Sequence, residues 1–336
     1  MDVLSKGTAK DFPHNKFNNI PFYKSILSLK NLKVVLKIKS VLKKESYDYI
    51  VLNTSLTAAL VRLAIPFNQV KKIKVINICH GYFFGVNIPS LKSFIFKTIE
   101  KVLSRRTDYI ITMNSEDFGY AKDYKLCKNE AFFVHGMGYN KDKYSPKIKS
   151  KRNDDKNINL LYVAEHSERK NHNELLLAMK KAVDKGAKLN LYLAGDGKLM
   201  EENERLSKDY GILDRVFFLG YISEVKKVYA TCDYVVSPSK IEGLPFNIME
   251  ALACGLPCVV SDIKGHRDLV KDNKNGYIYN QGDIDKLAEI LESLEVGTKK
   301  YNSLSSKAST SVLKNSLPQT LSEFKEIYKS IIGFKS

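Results

Sequence analysis

The stretch KIEGLPFNIMEALACGLPCVVSD, Lys240 to Asp262, carries two glutamates, Glu242 and Glu250, eight positions apart with a Gly and a Pro between them. Pro245 suits the first position of a helix and Gly255 suits its terminator, which predicts a short helix over about Pro245–Cys254. Glu242 and Gly243 then sit in the turn entering that helix, and Glu250 lies about one and a half turns inside it. The N–H groups of Gly243, Leu244 and Phe246 point out of the helix start, where the helix dipole favours an anion such as a diphosphate. Two carboxylates so spaced can reach different ends of an elongated ligand. The alternative from these residues alone is a capped helix with solvent-facing glutamates.

Strands and helices alternate on both sides of this stretch. Apolar runs predict strands at Tyr47–Asn53, Ile73–Gly81, Thr107–Asn114 and Ala131–Gly136. After 145 the segment SPKIKSKRNDDKN is polar, charged and free of periodicity, and reads as a linker. The alternation then restarts with INLLYVAE, NHNELLLAMKKAVDKG, LNLYLAGDG, LMEENERLSKDYG, VFFLGY, SEVKKVYATC, YVVSPS and, beyond the opening helix, PCVVSD. The tail LPQTLSEFKEIYKSIIGFK is amphipathic. Such alternation implies α/β architecture with parallel sheets, here as two doubly wound domains with a cleft between them and ligands at the carboxyl ends of the strands.

The chain has 336 residues, enough for two cored domains, and no apolar run of about 18 residues. Five cysteines without a close C-x-x-C pair argue against a zinc site and for a reducing, cytoplasmic compartment. The formal charge of +17 is lopsided: residues 1–150 carry 26 Lys and Arg against 11 Asp and Glu, a net +15, and the remainder 28 against 26. Such a field suits an anionic membrane face, a phosphorylated substrate or nucleic acid, or it simply keeps the protein soluble. No aromatic-interleaved basic motif supports nucleic acid. In LKNLKVVLKIKSVLKK, Leu29, Leu32, Val35 and Leu36 share one helical face, as do Leu91, Phe94, Ile95, Ile99, Val102 and Leu103 in LKSFIFKTIEKVLSRR. These faces are expected to pack on their own sheet, leaving only the lysine faces free to meet lipid.

The segment PSKIEGLPFNIMEALACGLPCVVSD resembles the nucleotide-sugar site of glycosyltransferase family 4, retaining enzymes of GT-B fold, closest to those of bacterial capsule and exopolysaccharide assembly. LLYVAEHSERKNHNELLLAMKKA, LYLAGDGKL and VFFLGY resemble the family's donor domain, and NICHGYFFG and IEKVLSRRTDYIITMNSEDFGYAK its acceptor domain. The resemblance implies an acceptor-side domain over 1–150, a donor-binding domain over 151–315, and a C-terminal helix, about 316–336, packing back on the first. It implies that Glu242 meets the donor sugar, Glu250 the ribose, and Arg169 and Lys170 the leaving diphosphate. His80 would contact the reacting sugar near its 6-hydroxyl.

Physically, negative charge builds on the phosphate as the sugar–phosphate bond breaks, and two cations there can replace a metal ion. The sequence shows no D-x-D motif at a strand end, so no metal and no cofactor beyond the nucleotide-sugar substrate is expected. Many family members carry Gly-Arg where this chain has Ala164-Glu165, and Arg169 is read as supplying the missing guanidinium. Gly195 and Gly197 would line the nucleotide side, and side chains around His80, Phe246 and Asn247 would select the sugar. Tyr82 and Phe83 are candidates for shaping the acceptor pocket or for core. Gly136 and Gly138 read as hinges at the domain boundary. Glu116 and Asp117 are read as caps of the following helix, with no catalytic part.

Family members open with a strand, a glycine-rich loop and a helix, whereas this chain begins MDVLSKGTAKDFPHNKFNN. The first domain is therefore expected to lack its first βα unit, about 45 residues at typical element lengths. The implied partners are a nucleotide-sugar donor, most simply a UDP-sugar, a lipid-linked or saccharide acceptor, and the inner face of the cell membrane as a peripheral site. Two other readings stay open at this point: a truncated, inactive or partner-dependent nucleotide-sugar-binding homologue, and a nucleotide-sugar epimerase.

Overall fold

A computed structural model describes residues 1–6, 14–23, 28–85, 90–146 and 157–333. Most of the expected linker, 147–156, lies outside the described residues. The chain divides into two compact units, Met1–Phe133 and Val134–Ser336.

The first unit opens with two strands, β1 (Asp2–Ser5) and β2 (Lys16–Asn19), paired in parallel as a sheet of their own. The sequence reading expected no strand here. DVLS and KFNN contain no long apolar run; they are held to the core by Ile20, fully buried just after β2, and by Leu4 and Phe22 packed against the same cluster. There follow α1 (Lys30–Lys44), β3 (Tyr49–Leu52), α2 (Ser55–Ala64), β4 (Lys74–Cys79), α3 (Ser90–Leu103), β5 (Tyr109–Thr112), α4 (Ser115–Asp123) and β6 (Glu130–Phe133). β3 to β6 form a four-stranded parallel sheet in sequence order. Inside it, Arg62 of α2 makes a two-pronged pair with Glu100 of α3 at 2.9 and 2.8 Å, and reaches Thr107 Oγ1 at 3.2 Å. Arg62 is fully buried.

The faces assigned to α1 and α3 from sequence are only partly the buried ones: Val35 and Ile99 are half-buried and Leu103 is buried, but the rest of each assigned face turns outward. α1 buries Asn31, Val34, Ile38 and Leu42, while Leu29, Leu32 and Leu36 face solvent. α3 buries Glu100 and Leu103 and turns Leu91, Phe94, Ile95 and Val102 outward. Each helix has apolar residues on two sides, so periodicity alone could not tell which side meets the sheet.

The second unit holds β7 (Ile158–Val163), α5 (His172–Asp184), β8 (Leu189–Ala194), α6 (Met200–Asp209), β9 (Val216–Gly220), α7 (Val225–Tyr229), β10 (Tyr234–Ser237), α8 (Phe246–Ala253), β11 (Cys258–Ser261), α9 (His266–Leu269), β12 (Gly276–Tyr279), α10 (Ile284–Glu292), α11 (Lys299–Ser311) and α12 (Leu317–Ile332). Its six-stranded sheet is wholly parallel, in the order β12-β11-β10-β7-β8-β9. Two cores flank it. One is built on Leu160, Tyr162, Leu175, Leu176 and Leu191, the other on Leu161, Val235, Ile248, Met249 and Leu252. Alternate residues of β7 thus serve opposite faces, as strand geometry requires.

Residues 134–140 are strapped to α12. The His135 N–H donates to Glu323 at 2.9 Å and its Nδ1 lies 2.7 Å from the other carboxylate oxygen, while Tyr139 bridges Ser316. Gly138, at φ +84, is needed here because a Cβ would stand 2.5 Å from Leu317 Cα.

Candidate active site

The strand order decides where the second unit can bind a ligand. The chain leaves β7 toward β8 and β9, then returns to β10 on the other side of β7. At such a switch point the loops after the two neighbouring strands part and leave a crevice at their carboxyl ends. The loops in question are 164–171 and 238–245, which contain Arg169, Lys170 and Glu242.

A buried tyrosine joins the loops from beneath. Tyr162, in β7, donates its hydroxyl to the Lys170 carbonyl at 2.8 Å and sits 2.9 Å from Ser239 Oγ. The Lys240 N–H donates to the Arg169 carbonyl at 2.9 Å. Ser261, at the end of β11, donates to the Ser239 carbonyl at 2.6 Å, and the His266 Nδ1–H donates to the Ser261 carbonyl at 2.9 Å.

On this scaffold the side chains of three expected residues meet. Lys170 Nζ lies 2.5 Å from Glu242 Oε1, and Arg169 Nη1 donates to Glu242 Oε2 at 3.2 Å and to the Ile241 carbonyl at 3.1 Å. Glu242 is 9% exposed and the Lys170 side chain 12%, whereas Arg169 is 44% exposed. Burial opposes charge on Glu242, but the Lys170 and Arg169 cations outweigh it and hold its carboxyl below the ordinary glutamate value. Burial also pushes His266 down to about 4, so it stands neutral beside Glu242.

The glycines allow the closest backbone approaches. Gly195 and Gly197, at φ +148 and +154, press the loop after β8 onto the loop after β7. A Cβ on Gly195 would fall 2.0 Å from the Ala164 carbonyl oxygen, and one on Gly197 2.4 Å from that of His166.

At α8, Pro245 is the cap, at φ −76° and ψ 123°, rather than the first helical residue, and the helix starts at Phe246. Among the described residues no acceptor meets the backbone N–H of Gly243, Leu244 or Phe246. Phe246 is exposed and Leu244 half-buried. Asn247 is committed structurally: its Nδ2 donates to the Val163 carbonyl at 2.9 Å and ties α8 to the end of β7. Glu250 is half-buried and accepts from Tyr229 OH at 3.3 Å. Burial raises its pKa against the opposing hydrogen bonds of Tyr144 and Tyr229.

His80 follows β4 in the first unit. It is exposed, with Nε2 2.9 Å from Asn53 Oδ1, and Gly81 behind it stands at φ +142. Of the aromatic residues beside it, Tyr82 is core, stacked on buried Phe84 at 4.6 Å, and only Phe83 is open to solvent. The reading of Glu116 and Asp117 as caps is corrected. The cap is Asn114, whose Oδ1 accepts from the Asp117 N–H at 2.8 Å. The Asp117 carboxylate accepts from Asn114 Nδ2 at 2.7 Å and from the Tyr82 N–H at 3.1 Å, so it ties the cap to the loop that carries His80.

Sequence reading missed Tyr162, Ser239, Ser261 and His266, which support Glu242 and its cations. It also missed His166 and His172, buried and stacked at 4.1 Å beside Tyr162. Burial, then His166, then Lys170 push His172 down to about 3, so it is neutral. The only signal was the pair of histidines six apart in HSERKNH. Among the described residues no group of three or more His, Cys, Asp or Glu side chains is placed to hold a metal ion.

Comparison with known proteins gives this geometry a family. The chain is 29% identical over 341 residues to the protein EpsD of Bacillus subtilis (strain 168), covering 98% of this chain and 89% of that one. It is 26% identical over 284 residues to an Escherichia coli UDP-Gal:alpha-D-GlcNAc-diphosphoundecaprenol alpha-1,3-galactosyltransferase, covering 80% and 71%. Among solved structures it resembles sucrose-phosphate synthase from Thermosynechococcus elongatus (TM-score 0.78, 18% identity, 99% of this chain and 89% of that one). It also resembles Anabaena HepE in complex with UDP and glucose (TM-score 0.74, 19% identity, 95% and 86%). The fold is that of these GT-B proteins, two Rossmann-like domains with parallel sheets. The family model for glycosyl transferases group 1 matches residues 144–311, half of the chain and most of the unit that holds Arg169, Lys170 and Glu242, and the protein is a member of that family.

Proposed function

We propose that the chain is a retaining, metal-independent hexosyltransferase that moves a sugar from a UDP-sugar to a lipid-linked or saccharide acceptor in cell-surface polysaccharide assembly. The observation that carries this reading is the Lys170–Glu242–Arg169 cluster at the switch point of the second sheet. The two cations are where a leaving diphosphate needs charge stabilisation, and the open N–H groups entering α8 offer further donors to its oxygens. Glu242 holds both cations in this structure. A bound diphosphate takes over those charges and leaves the carboxylate to accept hydrogen bonds from sugar hydroxyls. Glu250 accepts from the ribose hydroxyls, with Tyr229 and Tyr144 fixing its orientation. His80 contacts the transferred sugar.

In the reaction the bond between the anomeric carbon and the phosphate oxygen breaks, and its electron pair stays on the diphosphate. The acceptor oxygen bonds to the anomeric carbon from the same face, and its proton passes to the departing phosphate. No carboxylate nucleophile is required. A UDP-sugar and a diphosphoundecaprenol acceptor are named for the E. coli relative, and UDP was bound in HepE. In this reading the enzyme works in the cytoplasm at the inner face of the membrane.

The test is incubation of the purified chain with a panel of nucleotide sugars and bacterial membrane extract, following released nucleoside diphosphate and the anomeric configuration of the product. Release dependent on one sugar and on the extract, with retained configuration, supports the reading. Nucleotide binding without release points to an inactive homologue, and interconversion of the sugar without an acceptor points to an epimerase. Either would overturn it.

A further inference from the structure

One buried nitrogen beside Glu242 has no partner. His266 opens α9 and is fully buried. Its Nδ1 lies 2.9 Å from the Ser261 carbonyl and 3.3 Å from Ser261 Oγ, whose own hydrogen goes to the Ser239 carbonyl. Two acceptors at Nδ1 fix the neutral tautomer with its proton there, so Nε2 carries the lone pair. Among the described residues no polar atom lies within hydrogen-bond distance of Nε2. A buried acceptor left unpaired is costly, and most are satisfied in folded proteins.

The ring stands where charge must be rebalanced when a ligand arrives. Gly265, at φ +79, presses the His266 loop onto the turn that follows Glu242: a Cβ there would fall 2.3 Å from the Gly243 carbonyl oxygen. From the neighbouring loops the charged groups facing the ring are Glu242, after β10, and Lys170, after β7. On its own loop, Arg267 is paired with Asp262 at 2.8 Å, and Asp268 accepts from the Gly265 N–H at 3.3 Å. In the ligand-free cluster Lys170 and Arg169 hold Glu242 ionised, so the carboxylate needs no third cation. We propose that His266 takes up a proton at Nε2 when a nucleoside diphosphate binds, and that the imidazolium then replaces Lys170 and Arg169 as the counter-ion of Glu242.

The inference rests on the reading of this cluster as the donor site, in which the diphosphate draws both cations onto its oxygens. Glu242, 9% exposed, is then a buried carboxylate without a cation, a state that proton uptake relieves. The proton comes from bulk water and forms the Nε2–H bond; no other bond changes. The fixed tautomer favours the ring as its destination, because the Nε2 lone pair is unused. Protonating Glu242 instead would turn an oxygen that accepts from sugar hydroxyls into a donor. His266 is thus a positioning residue, acting on the sugar only through the charge of Glu242. The sign follows by linkage. Burial holds His266 down at about 4 in the free protein, and the uncompensated Glu242 charge raises it toward its ordinary 6.5 in the complex. Binding therefore tightens as pH falls through the value in the complex, and the gain ends near 4, where the free protein is protonated too.

The experiment follows the six histidines by NMR in the ring-labelled full chain, free and saturated with UDP, as pH is varied. One ring that stays neutral in the free protein should titrate in the complex, and its signal should be the one missing from His266→Asn. Calorimetry of UDP binding in buffers of different ionisation enthalpy gives the proton count on the same preparations. At about pH 6, wild type should take up roughly three-quarters of a proton more per UDP than Glu242→Gln, which has no charge to balance. The titration of the UDP phosphate is common to both proteins and cancels in that difference. The wild-type affinity should correspondingly gain about fourfold over the variant's between about pH 8 and pH 6. Equal proton uptake by the two proteins would overturn the proposal. So would uptake by wild type with every buried ring still neutral in the complex, because Glu242 would then hold the proton; this readout needs no variant to fold. Failure of wild type to bind UDP would overturn the donor-site reading and this proposal with it, whereas binding without the extra proton overturns this proposal alone.

Discussion

Replacing Lys170 by Met tests the charge cluster without any knowledge of the substrate. The substitution removes an ammonium 2.5 Å from Glu242 Oε1, with both side chains almost buried, at 12% and 9% exposure. Stranding one member of a buried ion pair costs about 3–5 kcal/mol. Arg169 remains 3.2 Å from the other oxygen, but it is 44% exposed and its charge is screened by water. The residual cost is therefore that of one charged hydrogen bond, about 2 kcal/mol. For a unit of this size that lowers the melting temperature by roughly 4–8 °C. Acid gives the sign. The folded-state pKa of Glu242 is depressed below 4.5, because its cations outweigh burial, so its contribution is present above that value and lost as pH falls through the folded value. Calorimetry of wild type and Lys170→Met should show the full difference at neutral pH and a shrinking one once the carboxyl protonates in both. Equal melting temperatures at neutral pH, or a difference that acid leaves untouched, would refute the reasoning.

Other substitutions probe separate parts of the molecule. Glu100→Ala strands the fully buried Arg62 and should destabilise the first unit by about 3–5 kcal/mol in denaturant titrations, with Arg62→Met/Glu100→Leu recovering most of the loss. Gly195→Ala drives a Cβ to 2.0 Å from the Ala164 carbonyl at φ +148, and should both destabilise the second unit and weaken UDP binding in calorimetry. Gly119→Ala, in α4 with nothing within 4 Å of the new Cβ, should stabilise by about 0.5–1 kcal/mol. Glu250→Gln should raise the donor concentration needed for half-maximal nucleotide release more than it lowers the maximal rate.

The strands of both parallel sheets were legible wherever burial on two faces produced a continuous apolar run, as in IKVINICHG, TDYIITMN and YVVSPS. β12 escaped because GYIY is short and begins with glycine, whose missing side chain lets it lie against Cys258, where a Cβ would stand 2.0 Å from the carbonyl oxygen. The two strands at the start of the chain escaped because they are polar and pair only with each other. α1 and α3 were found, but most of the apolar face assigned to each turns outward. The rule that places the apolar stripe inward presumes that all apolar residues belong to the core, and here a second stripe stays outside. At the site, Glu242 and its cations were named through the family resemblance that their strand-end loops carry. Their support could not be, because Tyr162 and Ser239 lie 77 residues apart in sequence and meet only when β7 and β10 pair. Asn247 looked like a ligand contact and is tied to the end of β7, while Asp117 looked like a cap and holds the loop of His80.

The most direct measurement is the rate of nucleoside diphosphate release from the preferred nucleotide sugar by wild type and by Glu242→Ala, with nucleotide affinity and melting curve recorded on the same preparations. The expected result is a fall of about 10²–10³-fold in turnover, the scale for removing one group that stabilises the transition state, in a protein that still folds and still binds the nucleotide. Turnover by Glu242→Ala at the wild-type rate would contradict the assignment of the Lys170–Glu242–Arg169 cluster as the site of sugar transfer.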